Sequence, residues 1–231
     1  MAGMEAFRAT DPEFMERWEH FAYEETHSAE LDGATRQLAI LAALIGCQGT
    51  EAFRLVLPAA LDGGLTPVMA REVVYQAVDY LGFGRMLPFL SVLNETLTAR
   101  GVSLPLPGQA TTTQENRLER GAQLQAEIFG AQMLEAWKNG PVNRWLAANC
   151  FGDFYTRTGL DLRQRELITL CFLAAQGGCE PQLTAHIKGN LALGASPQLL
   201  SAVLYACLPY IGYPRTLNAL SCLRQAAGDA E

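Results

Sequence analysis

An all-α fold made of two copies of one multi-helix unit is predicted by three features of the 231-residue chain. The first is an internal repeat, found by setting the chain against itself at an offset of 129, moving to 130 after a one-residue slip. Leu31-Asp32 then faces Leu160-Asp161, and Arg36, Leu38 and Leu41 face Arg165, Leu167 and Leu170. Thr66-Pro67 meets Ser196-Pro197, and Tyr75, Tyr80, Gly82 and Arg85 meet Tyr205, Tyr210, Gly212 and Arg215. The second is apolar spacing at three- and four-residue steps, as in Leu38, Leu41, Ala42, Ile45 and in Leu167, Leu170, Phe172, Leu173. The third is the lack of alternating β-branched runs bounded by turn signals, so strand content is expected near nil.

The elements follow in order. Asp32 and Asp161 are N-cap candidates, because a short side-chain oxygen there can accept from the free N–H groups of a first helical turn. Gly63-Gly64 and Gly194 are expected to end the next helices. Thr66-Pro67 and Ser196-Pro197 restart the chain as a cap followed by proline at the first helical position. Gly82 and Gly212 mark the turn after that. Between the repeats, Gly101 to Gln114 is rich in Pro, Gly and Thr without helical period and reads as a linker. Glu115 to Phe129 then resumes as a helix. The expected organisation is a first unit over 1–100, a linker over 101–114 and a second unit over 115–231.

Composition narrows the function classes. With 49% hydrophobic and 18% charged residues the chain has the make-up of a cored globular protein. A net charge of −7 without a basic run argues against nucleic acid or an anionic membrane as partner. No apolar stretch reaches the ~18 residues of a membrane span, and Met1 to Thr10 lacks a signal-peptide core, so a cytoplasmic location is expected. The six cysteines are irregularly spaced without a CxxC pair, and most fall in apolar helical patterns. They read as reduced, buried thiols and not as a disulfide framework. Metal-ligand spacing among His and Cys is lacking.

The segment from Gly178 to Ile187 carries the chemistry. A helix from about Cys179 to Leu193 tolerates Pro181 in its first turn and projects positions 179, 182 and 186 from one side. Cys179 is expected at the helix N-terminus, where unpaired N–H groups and the dipole favour a thiolate. His186 lies two turns on, a rise of roughly 10 Å, so a third group has to bridge the two. Glu166 is that group: it shares a face with Leu170 and Leu173, and a partly buried carboxylate can exchange protons near neutrality. The plainer reading of each residue stands beside this one: His186 as a satisfied core histidine, Cys179 as packing, and Glu166 as the partner of Arg163 or Arg165. In the first unit Val56 and Gly49 occupy the places of His186 and Cys179, so one site per chain is expected.

Several of these residues together resemble the carboxymuconolactone decarboxylase family. They are Phe151-Gly152-Asp153-Phe154-Tyr155, Gly159-Leu160-Asp161, Arg165-Glu166-Leu167-Ile168, Cys179-Glu180-Pro181-Gln182-Leu183, His186-Ile187, Gly194 and Tyr210-x-Gly212-x-Pro214. The resemblance covers about 115–225 well and about 12–95 as a degenerate second copy. It implies an all-helical fold whose units assemble as rings, here a homotrimer forming a pseudo-hexameric ring. It also implies one of two activities. One is decarboxylation of a small carboxylated lactone without metal or organic cofactor. The other is the thiol-dependent peroxide reduction of the alkylhydroperoxidase D-like branch, whose glutamate, first cysteine and histidine match Glu166, Cys179 and His186. Gln182 stands where that branch has its second cysteine, which weakens the thiol reading.

The expected activity is therefore decarboxylation or proton transfer on a small anionic substrate, with His186 as proton donor and Glu166 tuning it. Arg163, Arg165 or Lys188 would hold the substrate carboxylate, with Tyr155 as a further lining residue. Peroxide reduction through Cys179 is the alternative, and a small-ligand-binding scaffold without turnover is the third reading.

Overall fold

A computed structural model describes residues 2–228; the outermost ends of the two expected units lie outside the described residues. It contains helices and no strand among those residues. Helices α1 (Ala2–Thr10) and α2 (Pro12–His20), with a π-helical turn at Phe21–Glu25, precede the first repeat. That repeat comprises α3 (Gly33–Gly46), α4 (Thr50–Asp62), α5 (Pro67–Leu81) and α6 (Phe83–Ala99). Helix α7 (Arg117–Phe129) follows the linker. After a 3₁₀ segment at Ala131–Asn139 come α8 (Pro141–Trp145) and a π-helical stretch at Leu146–Tyr155. The second repeat then runs through α9 (Leu162–Gln176), α10 (Glu180–Ala192), α11 (Pro197–Ile211) and α12 (Tyr213–Ala227).

The caps form where the sequence places them. Asp32 accepts from the Thr35 N–H at 2.9 Å and Asp161 from the Gln164 N–H at 2.8 Å. Gln164 returns the favour to the Asp161 N–H at 3.0 Å, closing a capping box. Thr66 and Ser196 cap α5 and α11 in the same way. Gly82 and Gly212 both sit at φ 79, a left-handed value that a side chain resists, and so permit the sharp turn into the next helix.

The centre of the molecule is the pair α3 and α9, one from each repeat. Leu38 to Gly46 and Arg165 to Ala175 are buried without a break, so these helices are enclosed on every side. They touch closely at Gly46, where a Cβ would come within 2.7 Å of the Ala175 Cβ and 2.8 Å of the Phe172 carbonyl. Around this pair the repeats interlock crosswise: α5 packs on α9 and α11 packs on α3. The linker is held down on the body. Arg71 donates to the carbonyls of Leu106 and Pro107, Thr111 to Thr156, and Thr112 to Gly152.

Candidate active site

Glu166 and His186 meet. Glu166 is fully buried on α9 and His186, 9% exposed, reaches it from α10. The His186 Nδ1 lies 2.9 Å from Oε2 and 3.2 Å from Oε1 of Glu166. Asn190, one turn after His186, fixes the two helices to each other. Its amide donates to the backbone carbonyls of Glu166 at 3.0 Å and of His186 at 2.8 Å. Gly189 lets the carboxylate in, since a Cβ there would stand 2.8 Å from the Glu166 Oε2. Phe129 of α7 and Tyr80 of α5 flank the imidazole edge-on, with ring centres 5.4 Å and 5.5 Å away. The Nε2 edge accepts or donates no hydrogen bond among the described residues.

Behind Tyr80 runs a chain of hydroxyls. The Tyr80 phenol donates to Tyr155 at 2.9 Å, Tyr155 is 2.6 Å from the Thr169 hydroxyl, and Gln76 donates to Thr169 at 2.9 Å. The Cys150 thiol points to the Tyr80 oxygen at 3.7 Å. Burial, reinforced by the nearby Cys150 and Glu166, raises both phenols above their usual range and keeps them as neutral donors. Asp79, next to Tyr80 on α5, has Oδ2 buried without a partner. Burial, with Asp153 adding like charge, pushes its carboxyl up to about 8.

The other expected site residues fall differently. Cys179 caps α10 but does not join the pair: its thiol contacts the Leu173 carbonyl at 3.5 Å and the Gln176 amide at 3.6 Å. The expected thiolate is corrected as well. Burial pushes the Cys179 thiol up, outweighing the hydrogen bond from Gln176. Arg165, expected to bind a substrate carboxylate, is fully buried and committed elsewhere. It donates to Glu72 at 3.2 Å, Gln76 at 2.9 Å and the Arg157 and Thr158 carbonyls. Its counterpart Arg36 likewise binds carbonyls of the segment before α3, those of Ala22 and Thr26. The shared role is to tie down that segment, which corrects the substrate-binding assignment. Tyr155 is also corrected: it is 3% exposed, with its hydroxyl spent on Tyr80 and Thr169. Arg163 and Lys188 are exposed and make no ion pair among the described residues. Arg163 approaches Gly194, where a Cβ would be 3.5 Å from its guanidinium.

Sequence reasoning missed Tyr80, Asp79, Phe129 and Asn190. Asn190 was within reach, since it lies four residues after His186 and so on the same helical face. Tyr80 was visible in the repeat as the partner of Tyr210, but nothing in a linear reading sends it to the other unit's site.

The first repeat's equivalent of the pair is dismantled. Gln37 and Val56 stand at the places of Glu166 and His186, and the Gln37 Oε1 is buried with no partner among the described residues.

The model of the carboxymuconolactone decarboxylase family matches residues 12–95 and 141–225, one match per repeat. The chain belongs to the carboxymuconolactone decarboxylase family. A relative from Paracoccus denitrificans, described as an uncharacterized 15.0 kDa protein in the nqo9-nqo10 intergenic region, is 31% identical over 91 residues. The match takes in 39% of this chain and spans 58% of that relative's length. No helix among the described residues is long and apolar enough to cross a membrane.

Proposed function

We propose that the protein is a cofactor-independent decarboxylase or proton-transfer enzyme acting on a small carboxylated lactone or related unsaturated acid. The observation that carries this reading is the Glu166–His186 pair at 2.9 Å. With Glu166 ionised the carboxylate can only accept, so the proton facing it sits on Nδ1 and the Nε2 edge is left for substrate. When the ring is protonated, Glu166 stabilises the imidazolium, and Nε2–H is the acid offered to the substrate. Loss of CO2 leaves its electron pair in a conjugated enolate. His186 delivers the Nε2 proton to carbon, and water reprotonates the ring. Of the expected cations, Arg163 and Lys188 stay free to draw the substrate carboxylate.

The test is turnover on a panel of carboxylated lactones. His186→Ala is expected to lower kcat by about 10²–10⁴-fold, the usual contribution of one acid–base group. Full turnover in that variant would end the assignment. The thiol route gains no support from a half-buried Cys179 with a raised pKa and no second thiol at Gln182. Cys179→Ser is accordingly expected to keep lactone turnover, and the wild type to leave added peroxide unconsumed.

The assembly we propose is a trimer of these two-unit chains. Its support is the exposure of large apolar side chains on α8 and α12, where Val142 is 69% exposed, Trp145 62% and Leu217 60%. A monomer by sedimentation at micromolar concentration would contradict it.

A further inference from the structure

The dismantled site of the first repeat is not filled in. A cavity of about 510 Å³ occupies it, within the ~300–1,000 Å³ range of small-molecule pockets. Val56 and Gly49, the counterparts of His186 and Cys179, line it, and so does Tyr210, the counterpart of Tyr80. Pro209 stands there in place of Asp79. The counterparts of His186 and Asp79 are thus apolar here, and that of Glu166, Gln37, is uncharged. The Tyr210 phenol is raised by burial and stays neutral.

Helices α1 and α2 roof the cavity with Phe7, Met15 and Trp18. The roof is fastened at two points. Arg8 of α1 grips Glu19 of α2 at 2.8–3.1 Å, and the Trp18 indole N–H donates to the Pro209 carbonyl at 3.5 Å. Trp18 also stands edge-on between Tyr23 and Tyr210. One charged side chain, Asp11, borders the space, and it is an acid. An anion of the kind suited to Arg163 or Lys188 would meet repulsion there. A neutral hydrocarbon-rich molecule would exchange water for aromatic and aliphatic walls.

We infer that the first repeat is a second ligand site, which binds a neutral, largely aromatic or aliphatic small molecule between α4, α11 and the α1–α2 roof. This site and the His186 site take ligands of opposite character, one uncharged and one anionic. The inference does not depend on the reaction proposed for His186.

The experiment uses the full chain and N-phenyl-1-naphthylamine, a neutral dye that brightens in apolar surroundings. Saturable binding at one dye per chain is expected, with energy transfer from tryptophan because Trp18 is in the wall. Ala52→Phe, which fills the cavity from α4, is expected to weaken binding at least tenfold, and Leu55→Phe provides the same reading should the first variant melt early. The sulfonated analogue 8-anilinonaphthalene-1-sulfonate is expected to bind at least tenfold more weakly than the neutral dye, with Asp11→Asn narrowing the gap. His186→Ala should leave dye binding unchanged, which separates failure here from failure of the proposed reaction. Absence of saturable binding, preference for the sulfonate, or equal binding in both filled variants would overturn the inference. So would a fall in oligomer mass caused by Ala52→Phe, since the cavity would then hold a second copy of the chain.

Discussion

Gly189→Ala adds one methyl group at the point where α10 crosses the Glu166 carboxylate, and it changes no charge. The new Cβ would lie 2.8 Å from the Glu166 Oε2, 2.9 Å from the Ile128 Cγ2 and 3.1 Å from the Phe129 Cε1. Ordinary contact needs ~3.5–4.0 Å, so all three groups have to move. Two effects on stability oppose each other. Alanine gains about 1 kcal/mol over glycine inside a helix, whereas overpacking a core costs about 1–3 kcal/mol. The net change is a loss of at most about 2 kcal/mol, a fall in Tm of no more than roughly 8 °C for a chain of this size. The site suffers more. Pushing Oε2 off the His186 Nδ1 sacrifices a hydrogen bond to a charged group, worth about 1.5–3 kcal/mol. If Glu166 stabilises His186 in the transition state, turnover falls roughly 10- to 100-fold at temperatures where the variant is still folded. Nitrogen-15 NMR of the imidazole reads the same event directly, because the Nδ1–H tautomer that Glu166 enforces is lost. A variant with the wild-type tautomer and wild-type turnover would refute the claim that this contact organises the site.

Two further outcomes follow from buried charges. Glu72 is fully buried against Arg157 at 2.8 Å, Arg165 at 3.2 Å and Arg71 at 3.6 Å, so Glu72→Ala leaves three guanidinium groups without this counter-charge. Breaking such a pair costs about 3–5 kcal/mol, and a drop in Tm of roughly 6–20 °C is expected in a thermal melt; a drop under 2 °C would show the network to be dispensable. Asp79 carries the opposite lesson. Its folded pKa, raised to about 8 from 3.8, means the folded state favours the proton. The resulting stabilisation is complete below about pH 4 and is lost as pH rises towards 8. Asp79→Asn should remove that loss, so that urea midpoints at pH 5 and pH 8 converge; an unchanged difference would place its origin in another group.

The sequence made the helices legible because their signals are local. Asp32, Asp161, Thr66 and Ser196 act within three residues of themselves, and caps of that kind do not depend on the rest of the fold. Glu166 with His186 was legible for a similar reason: both sit on helices whose apolar faces fix which way the side chains turn. Cys179 misled because a helix N-terminus lowers a thiol pKa best where the thiol stays wet, and packing against α9 half-buries it. Arg165 misled through distance, its acid partner Glu72 lying 93 residues away in the other repeat. The repeat held a warning, since Arg36 keeps the same place in a unit that has lost both Glu166 and His186. A charge retained without the site argues for a duty to the fold.

The crosswise packing explains why the first repeat persists after losing its own pair. Helix α5 belongs to the first repeat, yet it delivers Tyr80 to the ring of His186 and Glu72 and Gln76 to Arg165, the residue before Glu166. In return α11 of the second repeat brings Tyr210 to the cavity where the first repeat has Val56. Neither unit encloses a site by itself. With Gln37 and Val56 where the second copy has Glu166 and His186, the first copy lacks that acid–base pair yet keeps its part in the other site. Residues at the first site were free to turn apolar, whereas those of α5 that face α9 were not. An apolar cavity opposite an intact Glu–His pair is what such unequal constraint produces.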